Sequence, residues 1–148
     1  MRVLLDTCVV LDAMQNREPF CKDAQKIFLL AANRNIDGYL SASAATDIYY
    51  LMHRHTHSNA ESRKVMNTLF SLFDLLDTTG MDCRHALSSP MEDFEDAVLE
   101  SAADRSEMDC IVARNLKDYG KARIRVYSPA DFLEKMAEKE AQISNCGP

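Results

Sequence analysis

The chain has 148 residues, 47% of them apolar and 27% charged, with 23 acidic side chains against 17 basic ones and a formal net charge of −6. That is one domain's worth of globular sequence, which excludes a disordered or collagen-like chain and a protein held on nucleic acid by overall positive charge. No apolar run reaches the roughly 18 residues of a membrane helix, residues 1–5 are too short for a signal peptide, and no membrane association is expected. The five cysteines are scattered, with no C-x-x-C pair. They read as reduced thiols of a cytoplasmic protein and indicate neither a zinc site nor a disulfide framework.

In chain order, residues 2–5 form a short apolar run that stops at Asp6 and predicts a buried strand. A helix is expected over 9–14. A second comes next, with Pro19 in its first turn and Phe20, Ala24, Ile27, Phe28 and Ala31 at helical spacing. A strand over 39–42 leads into a helix capped by Ser43, with Ile48, Leu51 and Met52 inward. A further helix over 60–73 precedes a strand at Leu75 and Leu76 and a short helix over 81–87. Ser89-Pro90-Met91-Glu92 has the pattern of a capping box with proline at the first helical position, so the next helix is expected to begin there. Strands over 110–113 and 124–127 bracket the final loop, and Ser128-Pro129 starts the last helix. The domain is expected to span residues 1–143, with 144–148 as a loose tail. Short strands alternating with helices predict an α/β fold: a central parallel sheet of about five strands, flanked by helices on both faces.

In such sheets ligands bind beyond the carboxyl ends of the strands, where strand order reverses. Asp6 follows the first strand, Asp47 lies one turn beyond the second, Asp93 and Asp96 precede the fourth, and Asn115 and Asp118 follow it. Two carboxylates about 4 Å apart repel by roughly 4 kcal/mol at an effective dielectric near 20. Gathering several requires protonation or a bound cation. All-oxygen ligands suit Mg²⁺ or Mn²⁺, ions whose chemistry points to phosphodiester hydrolysis. Each acid also has an ordinary structural use: Asp6 as a helix cap, Asp47 at a helix N-terminus, and Asp93, Asp96, Glu100 and Asp104 as a solvated stripe. Residues 82–109 nevertheless hold nine acids against two bases, and no base interleaves the stripe, which favours a nearby cation.

These residues, taken in order, resemble a known family. Val3-Leu4-Leu5-Asp6-Thr7 followed by Val9-Val10-Leu11-Asp12, Ser41-Ala42-Ser43 through Asp47-Ile48-Tyr49-Tyr50, Asp93-Phe94-Glu95-Asp96-Ala97, Ile111-Val112-Ala113-Arg114-Asn115, Lys117-Asp118-Tyr119 and Ser128-Pro129-Ala130-Asp131-Phe132-Leu133 together resemble a PIN domain. The resemblance runs along essentially the whole chain and includes the VapC-like toxin branch. It implies a three-layer PIN-like sandwich and a Mg²⁺- or Mn²⁺-dependent ribonuclease leaving 5′-phosphate and 3′-hydroxyl ends. Asp6, Asp47 and Asp96 would be its catalytic, metal-binding acids. The family's fourth acid is Asn115 here, the Asn after its first Asp-Thr is Cys8, and the Thr before its last acid is Ala113. A neutral Asn115 weakens a second metal position, for which Asp93 or Asp118 could compensate. Thr7 and Ser43 could hold a water or a carboxylate. The resemblance further implies the toxin of a toxin–antitoxin pair, a homodimer, and an antitoxin protein as partner.

An acidic cleft alone repels RNA, so a basic rim is expected from Arg114, Lys117 and Lys121, continuing to Arg123 and Arg125, with Arg54, Arg63 and Lys64 as a second cluster. His53 and His57 have the i, i+4 spacing of a helical metal pair but lack an acid at ligand spacing, so they read as a polar helix end. The alternative to a nuclease is a catalytically degenerate PIN-like module that binds RNA or assembles complexes. A receiver-type phosphate domain is a third reading, with Asp77 as a poor fit to its acceptor.

Overall fold

The computed structural model describes residues 1–145. The chain runs β1 (Arg2–Leu5), α1 (Thr7–Met14), α2 (Cys21–Ala32), β2 (Asp37–Ser41), α3 (Ala42–Thr56), α4 (Asn59–Leu72), β3 (Asp74–Leu76), α5 (Gly80–Leu87), α6 (Phe94–Arg105), β4 (Cys110–Val112), a 3₁₀ turn (Leu116–Tyr119), β5 (Val126–Tyr127) and α7 (Pro129–Asn145). All five strands pair in parallel, in the order β3-β2-β1-β4-β5. The chain winds outward from β1 to β3 and then returns to the other side of β1 for β4. Strand order therefore reverses between β1 and β4, with Leu5 opposite Val112. This order also removes the receiver reading, whose sheet runs 2-1-3-4-5 and puts the third strand beside the first.

The pleat divides the sheet into two cores. Val3, Leu5, Cys110 and Val112 face one side with Ile27, Ile48, Leu69, Phe73 and Phe132 from the longer helices. Leu4, Ile111 and Ala113 face the other, under Ala86 of α5 and Ala97, Val98 and Ala102 of α6. Alternate residues of a strand point to opposite faces, so a run apolar at every position is what a sheet covered on both sides requires. In β2, a Cβ on Gly38 would lie 2.6 Å from Phe73 Cδ1, so the absent side chain makes room for that ring.

The helix starts differ from expectation in three places, two of them settled by a hydrogen bond. Helix α3 is capped by Ser41, whose hydroxyl accepts from Ala44 N at 3.1 Å, and not by Ser43. Helix α6 begins at Phe94, capped by Asp93, whose Oδ1 accepts from Asp96 N at 2.9 Å. Ser89 instead accepts from Met91 N within the preceding loop, and Met91 is buried in the core under α6. A reciprocal capping box does occur, between Thr79 and Asp82 at the start of α5. Pro19 lies ahead of α2, after a cis Glu18–Pro19 bond. Helix α7 extends through Ser144 and Asn145, two residues of the expected loose tail, and the rest of that tail, 146–148, lies outside the described residues. No described helix is long and apolar enough to cross a membrane.

Candidate functional site

The reversal of strand order opens a cleft of about 540 Å³ at the carboxyl ends of β1 and β4. It is lined by Asp6, Asp47, Asp93, Glu95, Asp96 and Asp118, together with Arg114 and Asn115. Every candidate acid of the sequence thus reaches one cleft, although they come from α3, α6 and the ends of two strands. Asp6 immediately follows β1, and its N–H bonds to Val112 O at 3.0 Å, which fixes it against β4. The residue is only 9% exposed. Oδ1 accepts from Thr7 N at 2.7 Å and Oδ2 from Cys8 Sγ at 3.3 Å. The capping role expected of Asp6 is therefore real, and the residue lines the cleft as well.

Asp96 sits in the first turn of α6, half-buried, and its Oδ1 accepts a hydrogen bond from the hydroxyl of buried Tyr119 at 3.0 Å. Burial pushes its carboxyl up to about 7, the charges of Asp6, Asp93 and Asp118 add to the rise, and the Tyr119 hydrogen bond opposes it. Asp6 is also raised, chiefly by burial, with hydrogen bonds from Cys8 and Thr7 working against it. The Cys8 thiol is pushed up to about 12 by burial and by the neighbouring Asp6 charge, so at neutral pH it is a donor and not a thiolate. Asp118 accepts a hydrogen bond from Asn115 Nδ2.

Glu95 is not among the acids expected from the sequence. It is exposed overall, yet desolvation raises its carboxyl, followed by the charges of Asp47, Asp6 and Asp93. Its place between Asp93 and Asp96 is the available signal, because all three fall in the opening of one helix. Tyr119 stands out in the sequence only as part of a matching string, and its hydroxyl contact with Asp96 crosses 23 residues. Asp12 likewise has no role legible from its neighbours in sequence. It is 1% exposed and accepts from Arg114 Nη1 at 2.9 and 3.1 Å, with Arg17 4.0 Å away.

That pair revises the expected basic rim. Arg114 lines the cleft, but its guanidinium is anchored on Asp12 and lies 4.3 Å from the Phe20 ring centre. Arg123 turns to buried Glu100 and to Asp104 and takes no part in the cleft. Arg125 lines a different depression with Met1 and Asp109, beside the amino-terminal ends of β1 and β4. Lys117 and Lys121 are exposed but do not line the cleft. Arg54 lies 5.9 Å from the ring of Tyr50, which does line it. The acidic stripe on α6 is correspondingly less bare than its sequence. Arg123 neutralises Glu100 and Asp104, Arg105 neutralises Asp82, and the acids left for the cleft are those of the first turn. His53 stacks on Tyr49 and His57 closes α3 in a left-handed conformation, consistent with a polar helix end. Ser43 meets Thr78 and does not line the cleft, whereas Thr7 does.

The donors suit a hard divalent ion: six carboxylates, with one shielded thiol. Among the described residues no three acidic, histidine or cysteine side chains are drawn together as a closed ligand cage. Mg²⁺ usually keeps several waters and takes only one or two carboxylates directly, so an open set of this kind fits it.

A family model described as a PIN domain matches residues 2–117. The chain belongs to the PIN domain family. Among solved structures it is similar to VapBC2 from Rickettsia felis bound to a promoter DNA fragment, at 14% identity and a TM-score of 0.65, over 86% of this chain and 98% of that one. It is similar to VapBC-1 from nontypeable Haemophilus influenzae, at 15% identity and a TM-score of 0.65, over 88% and 99%. It is also similar to Mycobacterium tuberculosis VapC20, a sarcin-ricin loop cleaving toxin, at 14% identity and a TM-score of 0.61, over 83% and 98%. At these identities the likeness is one of fold. No curated protein matches. The five-stranded parallel sheet between helical layers is the PIN-like sandwich expected from the sequence.

Proposed function

We propose that this PIN domain is a ribonuclease whose catalytic acids are Asp6, Asp47 and Asp96, and that these hold a Mg²⁺ or Mn²⁺ ion directly or through waters. The observation carrying this reading is the collection of six carboxylates at the switch point of the sheet, with Asp6, Glu95 and Asp96 raised chiefly by burial and further by neighbouring carboxylates. Such an ion, when bound, supplies positive charge to the phosphoryl oxygens and lowers the pKa of water. The chain's own residues do the rest. Thr7 N–H and the Cys8 thiol orient Asp6, the Tyr119 hydroxyl restrains Asp96, and Asn115 restrains Asp118. Asp93 and Asp118 remain further metal positions, and Asn115 contributes a neutral oxygen where the family resemblance placed an acid. Arg114, Lys117, Lys121 and Arg54 are the proposed phosphate contacts, with Arg114 pre-positioned by Asp12.

The partners are proposed by analogy. The similar structures from R. felis and H. influenzae are of VapBC2 and VapBC-1, and VapC20 is a sarcin-ricin loop cleaving toxin, which supports an RNA substrate and an antitoxin protein for this chain. Homodimerisation and a cytoplasmic location belong to the same reading. The test is cleavage of single-stranded RNA with Mg²⁺ or Mn²⁺, compared between the wild type and Asp6→Asn. Cleavage that needs the ion and disappears in Asp6→Asn is the expected result, whereas cleavage unaffected by chelator would refute it. Two residues favour the second reading, a degenerate RNA-binding module: Asn115 stands where the family resemblance places an acid, and Cys8 where it places an asparagine. RNA binding without metal-dependent cleavage would support that module instead.

A further inference from the structure

We propose that Tyr119 is a positioning residue for Asp96, fixing which carboxylate oxygen is left for a divalent cation in the cleft. The inference rests on the metal-dependent reading above and deepens it. Three observations converge. The Tyr119 hydroxyl donates to Asp96 Oδ1 at 3.0 Å, and among the described residues no donor reaches Oδ2. Tyr119 is buried in the core that packs under α6, so its ring cannot swing away without opening that core. The 3₁₀ turn carrying it also carries Asp118, which shares a hydrogen bond with Asn115, so one short turn restrains two of the cleft's acids.

A carboxylate at the start of a helix is free to rotate about its terminal torsion, and each rotation exchanges the oxygens that face a ligand. A buried phenol on one oxygen removes that freedom. This is the job outer-shell donors perform for ligating carboxylates, whose loss typically weakens metal affinity about 10–100-fold. Phenylalanine at this position would pack as well as tyrosine but would leave Asp96 unrestrained.

The experiment is a direct Mn²⁺ titration, followed by calorimetry or by the resonance of free Mn²⁺, on four proteins: wild type, Tyr119→Phe, Asp96→Asn and the double variant. Far-UV circular dichroism and melting check that each is folded. The expected result is about tenfold weaker binding in Tyr119→Phe. The same substitution should have no further effect in the Asp96→Asn background, because a group acting through Asp96 has nothing left to orient. A merely structural hydroxyl would weaken both backgrounds equally, and that additivity would overturn the proposal. So would wild-type affinity in Tyr119→Phe. If the wild type bound no Mn²⁺, the metal reading itself would fall and this inference with it. If it bound Mn²⁺ and only Asp96→Asn weakened it, the positioning role alone would fall.

Discussion

Replacing Arg114 with alanine tests its structural duty apart from its proposed contact with substrate. In the fold, Arg114 is the main partner of Asp12, a carboxylate 1% exposed on α1, while Arg17 stands 4.0 Å away. Removing one member of a buried pair costs about 3–5 kcal/mol, because the other charge is left without compensation. The Arg114 side chain is itself 36% exposed and Arg17 remains, so about 2–3 kcal/mol is the reasonable expectation here. For a domain of this size that corresponds to a fall of roughly 5–10 °C in melting temperature. The loss has a pH signature. Burial already raises the Asp12 carboxyl, and Arg114 and Arg17 oppose the rise. Without Arg114 the folded-state pKa climbs further above its unfolded value. The folded protein then binds the proton more tightly than the unfolded chain, so the added instability is absent below about pH 4 and grows as pH rises. Urea melts at pH 5 and pH 8 should therefore show a wider gap from wild type at pH 8, and Asp12→Asn in the same chain should recover much of it. An Arg114→Ala protein that melts like the wild type, or a double variant no more stable than Arg114→Ala alone, would sink this account of the pair. The stabilised double variant is also the proper protein in which to ask whether RNA affinity depends on Arg114.

The same geometry sets other outcomes. Burial, with Asp6, Asp93 and Asp118 adding and Tyr119 opposing, holds the Asp96 carboxyl up to about 7, so a cation competes with its proton below that pH. Mn²⁺ affinity should be about tenfold weaker at pH 6 than at pH 8, and equal affinities in the two titrations would exclude Asp96 as a ligand. Asp82 is fully buried. Burial alone would raise its carboxyl, but Arg105 and Thr79 hold it down to about 2. Its stabilisation, about 2 kcal/mol from that shift, is complete above about pH 4 and is lost as pH falls through 2. Arg105→Ala should therefore lower urea stability at pH 7 and much less at pH 2, a contrast that disappears if the pair is only a surface contact. Gly38→Ala places a Cβ within 2.8 Å of two Phe73 ring atoms and should cost about 1–3 kcal/mol, read as a lower urea midpoint. A wild-type midpoint would mean that the ring shifts without penalty.

The α/β class, the number of strands and nearly every helix are legible in the sequence, because periodicity and caps are properties of neighbouring residues. Residues 2–5 need only their uninterrupted apolar run and the sudden Asp6. Where two local signals compete, the sequence cannot choose. Ser89 and Asp93 both have the chemistry of a cap, and only the burial of Met91 and the Asp93–Asp96 hydrogen bond decide for Asp93. The ordered acids Asp6, Asp47, Asp93, Asp96 and Asp118 point to one cleft because parallel strands deliver the residues at their carboxyl ends to a common edge.

What each charge does there is decided by the tertiary structure. Arg114 and Asp12 are 102 positions apart, and Arg123 and Glu100 are 23 apart. Placing β4 beside β1 brings the first pair together, and the loop before β5 brings the second. In sequence these residues look like a basic rim and a bare acidic stripe, because a charge run carries no record of its partners. The pattern of apolar and polar residues determines which segments are strands and helices. The order in which those strands pair determines which charges cancel, and so which acids remain for the cleft.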